Sequence, residues 1–241
     1  MTIPKIIHYC WFGGQPEPEF VTRHLATWRR HAPDFEIRRW DEQRFDCQQL
    51  AATREAYAAK RFDLVSDYVR LYAIREVGGI YLDVDVELLR PLTPLLNNQA
   101  FLGLEDFDTI ASGLICGATK HELNITALAA RYEAATTLPA QNCVAITTAY
   151  FRQLGFKPRN RLQLINGVQI YPTKYFCPLK YGTTKARVTP ETISIHHYRP
   201  VSIRRRWHIL LGRLGSRLLG RQRVETYLKR LKQLKLSLIH I

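Results

Sequence analysis

No C-x-x-C pair links any of the five cysteines, Cys10, Cys47, Cys116, Cys143 and Cys177, so the chain shows neither a zinc-site nor a redox-couple pattern. Their odd number and wide scatter predict reduced thiols in a cytosolic protein. No stretch approaches the ~18 uninterrupted apolar residues of a spanning helix. The opening Met1-Thr-Ile-Pro-Lys5 lacks the basic and long apolar regions of a secretory signal, which predicts a protein not exported by that route. P-loop, G-x-G-x-x-G and Ser-His-Asp patterns are missing too, leaving kinase, dehydrogenase and hydrolase readings without support. Nor is there a periodic self-similarity that would announce a solenoid or propeller.

What is there is 241 residues, 46% hydrophobic and 23% charged, enough to bury one sizeable core. The net charge of +14 is unevenly spread. From Arg199 to Lys235 twelve Lys and Arg stand against the single acid Glu225, a local +11 that leaves the rest of the chain at +3. In that stretch Trp207, Leu210, Leu211, Leu214 and Leu218, then Val224, Tyr227, Leu228, Leu231 and Leu234, recur at three- and four-residue spacing. The pattern predicts a basic amphipathic helical tail over 201–235 that associates with an anionic membrane surface. Residues 236–241, Leu-Ser-Leu-Ile-His-Ile, read as a candidate sequence artefact. The rival reading of so much Arg is a basic nucleic-acid-binding protein with a non-catalytic Asp-x-Asp. Nucleic-acid tails tend to be hydrophilic throughout, whereas this one alternates cations with Leu, Trp and Ile, so no nucleic-acid partner is expected.

Residues 1–200 alternate strand and helix signals. Lys5–Phe12 reads as a first buried strand ending in Gly13-Gly14, and 20–31 shows helical spacing at Phe20, Leu25 and Trp28. Strand-like 35–40 and a run of helix formers over 48–60 follow. The clearest helix is 62–77, with a broad apolar stripe stopped by Gly78-Gly79. A strand is predicted over 80–89, another at 101–105, helices over 122–136 and 143–154, and a last strand at 189–197. The alternation predicts an α/β fold with a Rossmann-like sheet flanked by helices.

Ile80-Tyr-Leu-Asp-Val-Asp-Val-Glu-Leu-Leu89 sets Asp83 and Asp85 two residues apart in an apolar run. On an extended backbone both side chains would share one face. Two acids near a strand end are often merely solvated, but unpaired charge amid Ile, Tyr, Leu and Val would be costly to bury. A divalent hard cation answers the repulsion, and Mg²⁺ or Mn²⁺ held this way completes its shell with phosphate oxygens and water.

The stretches Ile3–Gly13 and Phe62–Asp85, with weaker support from Tyr171–Pro178 and Ile195-His-His-Tyr198, closely resemble the DXD-containing sugar transferases of glycosyltransferase family 32. That family includes bacterial capsule and lipopolysaccharide transferases and fungal mannosyltransferases. The resemblance implies a GT-A fold, a divalent metal (Mn²⁺ or Mg²⁺), a nucleotide-sugar donor and transfer with retention. Trp11 would stack on the donor base. Asp67 and Arg70 would contact donor hydroxyls and phosphate, and with Asp83 and Asp85 they form the expected catalytic set. Asp83 would serve both donor and metal. Asp85 would be the second metal ligand, and His196, rather than His197, the third. The implied donor is a UDP-sugar, with GDP-mannose as the alternative. The acceptor would be a glycan or lipid-linked glycan at the inner face of the cell membrane, where the enzyme would sit as a cytoplasmic peripheral protein.

Overall fold

The structure is a computed structural model that describes residues 2–137, 141–180, 183 and 185–198. The chain divides into two units, Met1–Lys180 with Lys185–His197, and Tyr181–Thr184 with Tyr198–Ile241. The expected tail over 201–235 and the terminal residues 236–241 lie outside the described residues.

The elements of the first unit, in chain order, are β1 (Ile6–Cys10), α1 (Glu19–His31), β2 (Glu36–Trp40), α2 (Ala51–Ala58), α3 (Phe62–Val77), β3 (Gly79–Tyr81), β4 (Val86–Leu88), β5 (Ala100–Asp106), β6 (Thr109–Ala118), α4 (Leu123–Glu133), α5 (Cys143–Gln153), β7 (Gln163–Ile165), β8 (Val168–Tyr171), α6 (Thr173–Phe176) and β9 (Ser194–His196). Seven strands form one mixed sheet in the order β2-β1-β3-β6-β5-β8-β7, while β4 and β9 pair separately. β1 runs parallel to β2 and β3, and β6 is antiparallel to both β3 and β5. This is the helix-flanked α/β sheet expected from the sequence.

β1 lies inside the sheet because its side chains from Ile7 to Cys10 tolerate burial, including His8. His8 Nε2 bonds the Gly78 carbonyl at 2.8 Å, and its Nδ1 accepts from Trp40 Nε1 at 3.0 Å. Both ring nitrogens are thereby satisfied in the neutral form, and burial pushes the imidazole pKa down to about 4. The chain passes from β1 through α1 to β2 on one side, then through α2 and α3 to β3 on the other. The carboxyl ends of β1 and β3 therefore flank the point where the strand order reverses, the crevice in which open α/β sheets bind ligands.

α3 begins and ends where the sequence places it. Its last turn is closed by the Gly78 amide donating to the Ile74 carbonyl at 2.8 Å. Gly78 has φ +73°, and a Cβ there would come within 2.9 Å of the Lys120 amide nitrogen, so only glycine turns the chain directly into β3.

Two expectations fail. Residues 80–89 are not one strand: β3 ends at Tyr81, the Val86 amide reaches back to the Asp83 carbonyl at 3.0 Å, and the chain resumes as β4 in the other sheet. Asp83 and Asp85 thus converge through a turn and not by sharing a pleat face. The expected strand over 189–197 is confined to Ser194–His196, where β9 meets β4. The longest strand, β6, was not foreseen.

Candidate metal and donor site

Asp83 follows β3 and stays tied to the large sheet, its amide donating to the Gly113 carbonyl of β6 at 3.1 Å. Tyr81 donates its hydroxyl to Asp83 Oδ1 at 2.8 Å, and Arg70 Nη2 reaches the same oxygen at 3.3 Å. Arg70 is almost wholly buried on α3, its guanidinium carbon 5.0 Å from the Tyr81 ring centroid. It also pairs with Asp67 at 3.2 Å and donates to Cys143 Sγ at 3.1 Å. Asp67 in turn accepts from the Cys143 amide at the start of α5 (3.2 Å), where the helix dipole favours a carboxylate. Burial nevertheless pushes the Asp67 carboxyl up, outweighing the pull of Arg70.

Gly113 is what lets this cluster close. A Cβ on it would come within 2.5 Å of Asp83 Oδ2 and 2.6 Å of Arg70 Nη1. A glycine inside a strand often marks such a close approach, and that is the one signal in the sequence that could have pointed to it.

Asp85 belongs to the other sheet. Its backbone carbonyl accepts from the His197 amide at 2.9 Å, and its carboxylate meets His196 Nε2 at 3.0 Å. Burial disfavours charge on both, yet their contact wins: His196 is held well above the ordinary histidine value and Asp85 below the ordinary carboxylate value. One ligand atom from each of Asp83, Asp85 and His196 falls within 4.8 Å of the other two. A divalent ion spans such a separation with small side-chain movements. Two carboxylates and one imidazole make a donor set suited to Mn²⁺, with Mg²⁺ served by the oxygens. The three expected ligands fit one ion. His197 instead bonds Glu87 at 2.7 Å, which separates the two adjacent histidines by role.

Trp11 stands one residue past β1, at the same end of the sheet as Asp83. It is only partly buried, and its Nε1 donates to the Gln15 carbonyl at 2.7 Å. Arg70 joins Asp67 to Asp83, and with only 10% and 5% of their side chains exposed Asp67 and Arg70 reach the crevice mainly through Asp83. Tyr81, Gly113 and Cys143 are parts of the site that sequence reasoning missed. Tyr81 hid in an apolar run, and nothing local to Cys143 distinguishes it.

Residues 18–102 match a protein family described as "Glycosyltransferase sugar-binding region containing DXD motif". Inositol phosphoceramide mannosyltransferase 3 of Schizosaccharomyces pombe is 31% identical over 106 residues, which are 42% of this chain and 29% of that protein. The chain thus matches less than a third of this relative's length. Among solved structures, PaToxG glycosyltransferase is similar at 15% identity with a TM-score of 0.48, over 63% of this chain and 69% of that one. The galactosyltransferase LgtC with donor and acceptor sugar analogues gives 15% and 0.47, over 81% and 87%. Likenesses that distant say nothing about chemistry. Asp67, Arg70, Asp83 and Asp85 fall inside the matched stretch, while Trp11 and His196 fall outside it. Over residues 18–102 the chain is thus similar to the sugar-binding region of DXD-containing glycosyltransferases.

Proposed function

We propose that this protein is a metal-dependent, retaining glycosyltransferase of the GT-A type that moves a sugar from a nucleotide-sugar donor to a surface-glycan acceptor such as a capsular polysaccharide, O-antigen or lipopolysaccharide. The observation that carries the reading is the convergence of Asp83, Asp85 and His196 beside buried Arg70, at the carboxyl ends of β1 and β3. Asp83, Asp85 and His196 would hold Mn²⁺ or Mg²⁺, which when bound neutralises the donor diphosphate and stabilises it as a leaving group. Arg70 adds a fixed positive charge whose position is set by Asp67 and Tyr81. Trp11 presents a ring face to the donor base. The bond from the anomeric carbon to the diphosphate oxygen breaks, the acceptor oxygen bonds that carbon on the same face, and the acceptor proton passes to the departing phosphate.

A UDP-sugar is the donor we place first. GDP-mannose is the alternative, and a relative named as a mannosyltransferase supports keeping it. That relative's name also joins sugar transfer to a ceramide lipid, which suits a lipid-linked acceptor here. Among the described residues no helix is long and apolar enough to cross a membrane. On its sequence pattern, the basic segment 201–235 would instead bring the enzyme to the inner face of the cell membrane, each Lys or Arg near an anionic surface contributing ~1 kcal/mol.

The test is purified protein with Mn²⁺ against a panel of nucleotide sugars, reading nucleotide release with and without a chelator. Metal-dependent turnover of one donor supports the reading; metal-independent release, or none from any donor, overturns it. Trp11→Ala should weaken nucleotide and nucleotide-sugar binding alike, by ~1–3 kcal/mol in calorimetry. Unchanged affinity would remove Trp11 from the donor site.

A further inference from the structure

β4 is only three residues long and, among the described residues, has a single strand partner, β9. Two short strands alone make a marginal sheet. The backbone groups of this segment divide by alternation. Asp85 and Leu89 face β9, accepting from the His197 amide at 2.9 Å and donating to the Ile193 carbonyl at 2.8 Å. Val84, Val86 and Leu88 face the other way, where a third strand would ordinarily lie. There, side chains of α1 take its place. His24 Nδ1 donates to the Val84 carbonyl at 2.9 Å, Trp28 Nε1 donates to the Val86 carbonyl at 2.8 Å, and Thr27 Oγ1 accepts from the Leu88 amide at 3.0 Å. Positions 24, 27 and 28 are spaced i, i+3, i+4 and so share one helix face.

His24 does more than hold a strand edge. Val84 is the residue between the two acids, and the His24 ring also stacks on His197, the neighbour of His196, with centroids 5.2 Å apart and planes 14° from parallel. His197 is itself fixed by Glu87 of β4. One side chain therefore touches both chain segments that carry the candidate metal ligands.

We infer that the His24–Thr27–Trp28 face of α1 is a positioning device for the metal site, with His24 setting the separation of Asp83, Asp85 and His196. The inference rests on the proposed metal binding by those three residues. His24, Thr27 and Trp28 are not among the residues that would hold the ion. They act through the Val84–Leu88 backbone, and outer partners of this kind are commonly worth 10–100-fold in metal affinity.

The experiment titrates the full chain with Mn²⁺ alone, reading free ion by electron paramagnetic resonance, and follows amide exchange across 84–88 in metal-free protein. The variants are His24→Ala, Thr27→Val, Thr27→Ser and Asp85→Asn. Trp28 is left intact because it is fully buried and its loss would unsettle the core. His24→Ala and Thr27→Val should each weaken Mn²⁺ binding about tenfold or more and speed exchange at 84–88, with Thr27→Ser returning close to the parent. A residue that only stabilises the fold would lower the melting temperature and leave the affinity of the folded protein unchanged. If Asp85→Asn loses Mn²⁺ while His24→Ala and Thr27→Val bind it as the parent does, the inference is overturned and the metal reading stands. If the parent itself fails to bind Mn²⁺, or Asp85→Asn binds equally well, the metal reading falls and the inference with it.

Discussion

Asp83 and Asp85 are two residues apart and are held by opposite kinds of surroundings. Asp83 is anchored in the large sheet by Tyr81, Arg70 and the Gly113 carbonyl, groups whose charge state does not change at ordinary pH. Asp85 hangs from the two-stranded sheet and faces His196, a partner that can give up its proton. The first acid belongs to a fixed electrostatic frame and the second to an adjustable one. A cation entering between them has to displace a proton on one side only.

The largest effect that would expose this asymmetry is on activity. Asp85→Asn removes a charged ligand without changing volume, and we expect Mn²⁺-dependent nucleotide release to be abolished while circular dichroism stays that of the parent and melting falls only by what the His196 contact contributes. His196 can lose its proton once its partner's negative charge is gone, so no buried charge is stranded. Retained metal-dependent turnover in that variant would refute the ligand assignment.

Asp83→Asn should also abolish turnover, but it should destabilise the fold as well. Arg70 cannot deprotonate, and with Asp83 neutralised its buried charge keeps only Asp67 as an ionic partner. We expect a loss on the order of 2 kcal/mol in chemical denaturation, several degrees in melting temperature. Equal melting of the two Asn variants would break the comparison.

How much of this was legible in the sequence depends on how local the cause is. The bounds of α3 could be read because its apolar period and the Gly78 stop are local signals, and Asp83, Asp85 and His196 could be nominated by type and resemblance. The turn between the acids could not, since Asp83-Val-Asp85 contains no Gly or Pro and is enforced by partners at positions 113 and 196. β6 escaped for another reason: it is buried on both faces and carries Ala111, Ser112, Gly113, Gly117 and Ala118 where a half-buried strand would alternate large apolar and polar residues. Among them Gly113 makes room for the Arg70–Asp83 cluster, so part of what concealed the strand shapes the site. The grip of α1 on β4 was equally hidden, because His24 reads as an ordinary polar position on an amphipathic helix.

A smaller effect appears in the pH dependence of metal binding. In the metal-free protein the His196–Asp85 contact raises the histidine and lowers the acid. The histidine's share of stability is complete below its unfolded value of 6.5 and is lost as pH rises through its higher folded value. The acid's share is complete above 3.8 and is lost as pH falls through its lower folded value. Between those limits the contact competes with a metal ion, which must expel the imidazole proton. Mn²⁺ affinity should rise about tenfold per pH unit up to the raised folded value of His196, above which it deprotonates unaided and the slope levels off. In Asp85→Asn any residual binding should lose most of that slope, because the carboxylate that hydrogen-bonds His196 is gone, though the charge of Asp83 still favours its proton. A flat profile in the parent would mean that His196 is not a ligand.

The smallest effect isolates the fixed side. Tyr81→Phe deletes only the hydroxyl that donates to Asp83 Oδ1 and leaves the ring beneath Arg70 in place. One hydrogen bond to a charged acceptor that keeps its Arg70 partner should cost ~1 kcal/mol of stability. The carboxylate, less firmly held, should bind Mn²⁺ several-fold more weakly. Because the lost group is not titratable at ordinary pH, the slope of affinity against pH should match that of the parent, the whole curve being displaced. If Tyr81→Phe changed the slope instead, Asp83 and the Asp85–His196 pair would be electrostatically coupled through the site, and the division into a fixed and an adjustable acid would have to be given up.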